Sequence, residues 1–236
     1  LSDPEIKLPG DNFNTILWSG AQSGASAPNR SLTGVGFQPD LVWSKTRSDA
    51  NSHQLWDVAR DLDDALASNN NNAEGNDKAS GYLASLDSDG FTTTAGTSGV
   101  INVDESGRTY VAWNWLGGGT AVANTTGTLD AMVSANTTAG FSIVKFDQEG
   151  TGADATIGHG LSQRPELVIG KPYDAGDNWR VGCDFIASTV DWGEILLLND
   201  NRAAYTKDSV FDGGDNPGGP TASIIYMGDD GLNNTG

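Results

Sequence analysis

Short blocks in which apolar and polar residues alternate recur along most of the chain. The clearest is Thr109–Trp115, where a period of two puts odd-numbered residues on one face of a strand and even-numbered residues on the other. One of these faces must belong to a core. Seven further blocks of this kind lie near Thr15 and begin at Asp40, Gly81, Phe141, Pro165, Glu194 and Ala222. Clusters of Gly, Asn, Asp and Ser separate the blocks, so the pattern predicts an all-β fold with antiparallel sheets.

One stretch has a competing helical pattern. Between Trp56 and Asn69, the residues Leu62, Ala65 and Leu66 keep a spacing of three to four, and a run of asparagines follows them. We therefore expect at most one short helix in the chain, at this place. The asparagine run itself predicts an exposed loop, because burying polar amide side chains does not offset the entropy lost on ordering them.

Two parts of the chain share the same motifs in the same order, which indicates an internal repeat. The first part contains GVGFQPDLVWSK and the second contains GHGLSQRPELVIGK. The matched pairs are Gly36 with Gly160, Phe37 with Leu161, Pro39 with Pro165, Asp40 with Glu166, Leu41 with Leu167, Val42 with Val168 and Lys45 with Lys171. Further on, HQLWDVAR around Trp56 parallels NWRVGCDF around Trp179. The repeat predicts two related β-sandwiches in tandem.

The repeat also predicts the domain boundaries. Residues 1–12 form a leader segment, 13–119 the first sandwich, 120–138 a linker with a first strand, and 139–236 the second sandwich. The stretch Gly117–Thr128 is the best linker because it is rich in Gly and Thr. The second copy has no block like TYVAWNW, so we expect the natural polypeptide to continue with a strand that closes the second sheet.

The composition and charge limit the fold class and the kinds of partner that the chain can bind. The chain has 236 residues, 37% hydrophobic residues and 31 glycines, which suits packed β-domains rather than a helical bundle. Its formal net charge of −18 repels phosphate backbones and anionic lipid, so we expect neither nucleic acid nor a membrane as partner. Only one cysteine, Cys183, is present, so an intrachain disulfide is excluded. No apolar run approaches the roughly 20 residues of a membrane span.

The sequence carries no recognisable catalytic set. The segment Glu194–Asn199 falls in a frame similar to the alternating acids of laminarinase-like glycosidases, but Leu196 and Asn199 replace the second and third acids. The two histidines, His53 and His159, lie in predicted turns without a GxSxG motif, and we expect them to be solvent-facing or locally bonded. We therefore predict that the chain is not an enzyme and needs no cofactor.

Some residues are weak candidates for binding. The stretch that contains Asp212, Asp215 and Asn216 could wrap a calcium ion with side-chain and carbonyl oxygens. Asp87–Gly90 resembles part of a calcium loop, but a hairpin turn is the better interpretation. Trp192, flanked by Asp191 and Gly193, is the tryptophan that we expect to be most exposed and therefore the ligand-binding candidate. The other tryptophans of predicted strands are expected in the core: Trp18, Trp43, Trp56, Trp113 and Trp115.

The ordered motifs FNTILWSG, GVGFQPDLVWSK, TYVAWNW, SANTTAGFSIVKF and GHGL resemble a family of tandem-repeat phage proteins. These proteins are common in marine and cyanobacterial phages and are labelled tail fibre or virion structural proteins. The resemblance covers about Phe13 to Gly236. It implies lectin-like β-sandwiches of jelly-roll or concanavalin-like type on a virion, without catalytic residues. The chain departs from the pattern by an extra residue before Pro165 and by an acidic turn in KPYDAGDNW.

The resemblance gives the expected function. The chain would be a structural or adhesive component of a bacteriophage virion: a tail fibre, a knob or a capsid decoration. Its expected partners are other virion proteins and a host surface glycan, and its expected location is the surface or tail of the phage particle. Fibres and decorations are usually symmetric, which suggests a homo-oligomer, with a trimer by analogy. The alternatives are a carbohydrate-binding module and a polysaccharide-degrading tail enzyme.

Overall fold

The computed structural model describes residues 9–147, 155–186, 192–206, 210–211 and 219–227. The chain divides into two compact units. Unit 1 comprises residues 1–68 and 74–120, and unit 2 comprises residues 69–73 and 121–236. Among the described residues, the helices are two 3-10 turns of three residues each, Pro9–Asp11 and Lys78–Ser80. The predicted all-β class with antiparallel sheets is confirmed.

The described residues of unit 1 form two antiparallel sheets. Its strands are β1 (Phe13–Ser19), β2 (Arg30–Thr33), β3 (Leu41–Thr46), β4 (His53–Asp57), β5 (Leu66–Ala67), β6 (Tyr82–Asp87), β7 (Gly90–Thr94) and β8 (Thr109–Trp115). The larger sheet has the order β1-β8-β3-β4-β5, and the smaller has the order β2-β7-β6. Both sheets contribute to one core, for example through Val42 and Trp56 from the larger sheet and Leu83 and Phe91 from the smaller.

The core face of β8 carries its even-numbered residues. Tyr110, Ala112 and Asn114 are all 0% exposed. The Tyr110 hydroxyl accepts a hydrogen bond from Glu105 N at 2.8 Å and donates one to Ile101 O at 2.9 Å, which satisfies the buried phenol. Burial raises the pKa of Tyr110 to about 12. The odd-numbered residues of β8 therefore point away from this core.

The helix allowed by the sequence between Trp56 and Asn69 does not form. Residues 58–65 are a loop between β4 and β5. The Asp57 carboxylate accepts hydrogen bonds from Ala59 N and Arg60 Nε, both at 2.9 Å. A carboxylate that bonds nearby backbone N–H groups competes with helix formation. The loop agrees with the expectation of at most one short helix in the chain, and the helix that the spacing of the apolar residues permitted is absent here.

Unit 2 has three antiparallel sheets among its described residues. Its strands are β9 (Val122–Asn124), β10 (Ala131–Asn136), β11 (Phe141–Phe146), β12 (Ala155–Gly158), β13 (Leu167–Gly170), β14 (Arg180–Cys183), β15 (Glu194–Leu197), β16 (Tyr205–Thr206) and β17 (Ile224–Met227). The sheet orders are β11-β10-β9, β12-β17 and β13-β14-β15-β16. The core includes Trp192, Ile195, Phe211 and Ile225. The stretch 120–138, expected as a linker with a first strand, contains two strands, β9 and β10.

Matched residues of the two units make matched backbone contacts. In unit 1, β3 pairs with β4 so that Leu41 lies opposite Asp57, and in unit 2, β13 pairs with β14 so that Leu167 lies opposite Cys183. Equivalent hydrogen bonds flank these pairs, from Val58 N to Asp40 O and from Asp184 N to Glu166 O, and from Ser68 N to His53 O and from Leu198 N to Trp179 O. The strands β3, β4 and β5 therefore correspond to β13, β14 and β15.

The register corrects one match made from the sequence. Trp56 lies opposite Val42 in unit 1, and Gly182 lies opposite Val168 in unit 2. The counterpart of Trp56 is therefore Gly182, so the parallel between the segments around Trp56 and Trp179 does not match the two tryptophans with each other.

The matched lysines have the same structural role. Lys45 Nζ donates to the carbonyl of Asp49 at 3.4 Å, and Lys171 Nζ donates to the carbonyl of Ala175 at 3.2 Å, four residues along the chain in each case. Lys171 Nζ also donates to Asp177 O at 2.7 Å. Burial lowers the pKa of Lys171 to about 8. Each lysine thus ties together the turn that follows its strand.

Candidate binding face

Four aromatic side chains form a continuous row on the outer surface of the larger sheet of unit 1. Phe13 lies opposite Trp115 in the register, and Trp43 lies opposite Trp113. The ring centroids of Phe13 and Trp115 are 4.9 Å apart, those of Trp43 and Trp115 are 6.4 Å apart, and those of Trp43 and Trp113 are 6.0 Å apart. We call these four residues the aromatic face.

The aromatic face is partly open to solvent and is continuous with exposed aliphatic side chains. Phe13 is 38% exposed, and the three tryptophans are half-buried. Leu17, four residue pairs further along β1 than Phe13, is 62% exposed. Each tryptophan therefore packs one part of its ring against its neighbours and presents the rest outward.

The β8 backbone that carries Trp113 and Trp115 pairs with a neighbouring strand on each side. β8 pairs with β1 over seven residue pairs, from Phe13 with Trp115 to Ser19 with Thr109, and with β3 over six. The buried Asp40 carboxylate accepts a hydrogen bond from Gly119 N at 2.9 Å, which fixes the segment after β8. Burial raises the pKa of Asp40 in spite of this hydrogen bond. The three tryptophans thus lie on the central strands β8 and β3, and Phe13 lies on the edge strand β1.

The ring planes are tilted against one another, by 28° between Trp43 and Trp115 and by 66° between Trp43 and Trp113. A row of partly exposed aromatic rings has two main uses. Aromatic faces stack against the apolar faces of sugar rings, and they serve as anchors at protein interfaces. Lys45, which lies opposite Val111 in the same sheet, has its ammonium group engaged with backbone carbonyls of the next turn. The arrangement therefore offers aromatic stacking surface next to an ammonium group that is held by backbone carbonyls.

A family model matches nearly the whole chain, over residues 8–236. The chain belongs to the DUF7483 family, a domain of unknown function. The match covers residues of both units, so the family model spans the two units together rather than one of them. No curated protein and no solved structure matches the chain.

Trp192, the tryptophan expected to be most exposed, is buried. It is 2% exposed, and its indole N–H donates to Asp184 Oδ1 at 2.8 Å. Its ring lies 6.2 Å from the ring of Phe211 and 5.5 Å from the guanidinium of Arg164. The expectation failed because neighbouring Asp and Gly residues indicate a turn but do not say which way the side chain points.

The expected core position of the other tryptophans holds only in part. Trp56 is 1% exposed and lies in the core of unit 1, and Trp18 is half-buried and packs against the same core. Trp43, Trp113 and Trp115 instead form the outer face. Alternation did assign Trp113 and Trp115 to one face of β8. The assumption that the more aromatic face of β8 is the buried one was wrong.

The acidic candidates give no metal site within the described residues. Asp212, Asp215 and Asn216 lie outside the described residues. Asp87–Gly90 is the hairpin turn between β6 and β7, as expected, and the Asp89 carboxylate accepts hydrogen bonds from two backbone N–H groups. In the part of the chain that the structure describes, no three His, Cys, Asp or Glu side chains come together as a possible metal site.

The histidines and the strongly buried acids have structural contacts. His159 is 1% exposed, accepts a hydrogen bond from Leu161 N at Nδ1 and contacts the Thr221 carbonyl through Nε2. His53 is half-buried in β4. Burial raises the pKa of Asp104, although Arg30 contacts its carboxylate at 2.7 Å. His159 and Asp104 are enclosed by their own units, whereas His53 lies opposite Lys45 and therefore on the outer side of the larger sheet, the side that carries the aromatic face.

Among the described residues, no helix is long and apolar enough to cross a membrane.

Proposed function

We propose that this chain is a structural or adhesive component of a bacteriophage virion, and that the aromatic face of unit 1 is its docking surface. The observation that carries the proposal is the row of four contacting rings on a firmly paired sheet. Exposed contiguous apolar surface on an otherwise acidic protein is typical of an interaction site. The motif resemblance described above supports the phage assignment.

The character of the face favours binding over catalysis. General acid and base catalysis needs ionisable groups within reach of the reacting bond. Phe13, Trp43, Trp113 and Trp115 supply none, and the nearby Lys45 is bonded to carbonyls. A set of rigid aromatic side chains costs little conformational entropy on binding, which suits adhesion.

The ligand class that we favour is a host surface polysaccharide. The three half-buried indoles contact one another in a row, and the exposed part of each ring offers apolar surface on which a sugar ring can stack. The formal charge of −18 makes an anionic polysaccharide a poor ligand, so a neutral glycan fits better. Contacts with other virion proteins would then use the remaining surface.

The test is glycan binding by matched variants. Trp113→Ala and Trp43→Ala should each weaken binding to the host polysaccharide at least about tenfold, because hot-spot tryptophans contribute 2 kcal/mol or more and 1.4 kcal/mol is tenfold in affinity. The control is Ile169→Ala, because Ile169 holds the position in β13 that Trp43 holds in β3. Equal binding by all three variants would contradict the assignment of this face.

Two further measurements test whether the chain is part of a phage particle and whether it forms an oligomer. Electron cryomicroscopy of intact virions should place this chain on the surface or tail, and light scattering should give an oligomer, with a trimer as the expected state. Density for the chain inside the capsid, or its absence from purified particles, would refute the virion role.

The aromatic row also favours a second candidate, a carbohydrate-binding module outside any particle. The two are distinguished by location, because such a module would bind the glycan and be absent from virions. A polysaccharide-degrading tail enzyme would release reducing ends from the host polysaccharide, and we expect no such release.

A further inference from the structure

The aromatic face crosses three strands of the larger sheet of unit 1. Phe13 lies on β1, Trp113 and Trp115 lie on β8, and Trp43 lies on β3. From ring to ring, the row runs Phe13, Trp115, Trp43, Trp113, with centroids 4.9, 6.4 and 6.0 Å apart. A ligand that contacts all four rings is therefore an extended one that lies across the strands.

The planes of neighbouring rings in this row are not parallel. They differ by 55° between Phe13 and Trp115, by 28° between Trp115 and Trp43, and by 66° between Trp43 and Trp113. A rigid flat surface, such as the face of a crystalline polysaccharide, cannot lie parallel to all of these rings at once. A single chain can turn about the bonds between its sugars and can therefore stack a different sugar on each ring.

The outer side of the larger sheet presents little net charge to a ligand. The ionisable side chains that its strands place on this side are Lys45, His53 and Asp57. Lys45 Nζ donates to backbone carbonyls, and the Asp57 carboxylate contacts the Arg60 guanidinium at 2.8 Å. Burial, followed by the charge of Lys45, lowers the pKa of His53 below its usual 6.5, so the imidazole is neutral at pH 7. A neutral ligand therefore fits this side better than a charged one.

We propose that the aromatic face binds a single neutral polysaccharide chain along its length, and that its sugars are pyranoses with equatorial ring substituents. In such a sugar the axial C–H bonds make both faces of the ring apolar, so each sugar can stack whichever way it is turned. An axial hydroxyl group would place a polar group against an aromatic ring on one of the two faces, which costs desolvation. This binding mode rests on the glycan adhesion proposed above and adds the form of the glycan and the kind of sugar.

The first test is the dependence of affinity on chain length, measured by titration calorimetry. The probes are cello-oligosaccharides and chito-oligosaccharides from disaccharide to octasaccharide, which are neutral and have equatorial ring substituents. We expect the affinity to rise at least about tenfold over each series and then to level off, because each added sugar covers a further ring until the row is filled. Manno-oligosaccharides of the same lengths are the control, and their axial hydroxyl group should weaken binding. Equal affinity for the shortest and longest chains, or for the manno- and cello-oligosaccharides, would overturn the proposal.

Variants at the two ends of the row test whether one chain contacts the whole row. For the octasaccharides, Phe13→Ala should lower the affinity at least about threefold and Trp113→Ala at least about tenfold, whereas Ile169→Ala should leave it unchanged. Hydrogen exchange of the β8 amides shows whether unit 1 is still folded; if a variant is not, the length series decides. An effect of only one of the two folded variants would mean that a single ring binds the sugar, against the proposal.

The physical form of the glycan gives a third test with no change in the protein. Amorphous cellulose should remove more of the protein from solution than crystalline cellulose of equal surface area, because only its loose chains can follow the tilted rings. Octasaccharides that are methylated at one end and reduced at the other should bind as well as uncapped ones. Equal or stronger retention by crystalline cellulose, or loss of binding on capping, would overturn binding along a single chain.

Failure of this binding mode is distinct from failure of the proposed function. If polysaccharide extracted from the host surface binds but neither oligosaccharide series does, or if binding is independent of length, the adhesive role stands and this binding mode is wrong. If the host polysaccharide itself does not bind, the glycan role of the aromatic face is wrong, and the binding mode with it.

Discussion

Gly182 occupies in unit 2 the position that Trp56 occupies in unit 1, and the two cores are filled differently as a result. A Cβ atom added at Gly182 would lie 2.5 Å from Phe211 Cδ2 and 2.9 Å from Trp192 Cε3. The space that one strand residue fills in unit 1 is thus filled in unit 2 by side chains from other segments. This explains why Trp192 is buried although its sequence neighbours indicate a turn.

The close approach at Gly182 gives the first prediction. Gly182→Ala should destabilise unit 2 by about 1–3 kcal/mol, because the added methyl group overpacks two aromatic rings. Gly176→Ala is the control, since its Cβ would meet only Asn71 O at 3.6 Å, an ordinary contact. Hydrogen exchange of the β14 amides measures the effect, and equal protection in the two variants would show that the core has room to adjust.

His159 should make stability depend on pH. Burial lowers the pKa of His159 below its usual 6.5, so the unfolded chain takes up a proton before the folded chain does. The contribution of His159 to the free energy of unfolding should therefore be fully present above pH 6.5. It should be lost as the pH drops from 6.5 toward the pKa of His159 in the folded chain. His159→Asn does not titrate in this range and offers an acceptor in place of Nδ1, so it should flatten the dependence.

Denaturant unfolding between pH 5 and 8 measures this dependence as the difference between wild type and variant. His53 needs its own variant, His53→Asn, because burial and the charge of Lys45 lower the pKa of His53 as well. If His159→Asn keeps the full wild-type slope, the histidine is protonated as easily in the folded chain as in the unfolded one.

At the scale of elements, the loop between β4 and β5 depends on one buried guanidinium. The Arg60 side chain is 7% exposed and contacts the Asp57 and Glu74 carboxylates. It also donates to the carbonyls of Leu55 at 3.2 Å and Asp64 at 2.7 Å. These contacts of Arg60 stabilise a loop at the place where the apolar spacing permitted a helix.

Removing that guanidinium should be costly. Arg60→Met keeps an apolar stem but leaves the buried Asp57 carboxylate without its positive partner and removes a donor from two carbonyls, so we expect a loss of about 3–5 kcal/mol in the free energy of unfolding of unit 1. Arg202→Met is the control, since the Arg202 side chain is 55% exposed in its pair with Asp200 and should cost less than about 1 kcal/mol. Similar losses in the two variants would argue against a central role for Arg60.

The strands were the predictable elements. Each of the eight blocks chosen from the sequence contains a strand, because alternation and turn residues are local signals. The orientation of those strands was not predictable, since both faces of β8 and β3 carry apolar residues. Which face is buried depends on where the second sheet packs, and that information is not local to the strand. The aromatic face was missed for this reason.

At the scale of the whole molecule, the two units repeat a strand framework but differ in what they expose. The pairing of β3 with β4 and of β13 with β14 is the same, while the outer face carries Trp43 in one unit and Ile169 in the other. A repeated framework with different surfaces suits a protein whose two units make different contacts. Our proposal of glycan adhesion concerns the aromatic face of unit 1.

The acidic charge of the molecule should make its stability rise with salt. With a formal net charge of −18, self-repulsion destabilises the compact state, and it is screened as the Debye length falls from about 30 Å at 0.01 M to about 3 Å at 1 M. The melting temperature should therefore increase between 0.01 M and 0.5 M NaCl. Asp61→Asn with Asp130→Asn removes two exposed charges, giving −16, and should raise the melting temperature at low salt and reduce its salt dependence. A melting temperature that falls with added NaCl would mean that ion pairs such as Arg60 with Asp57 outweigh the general repulsion.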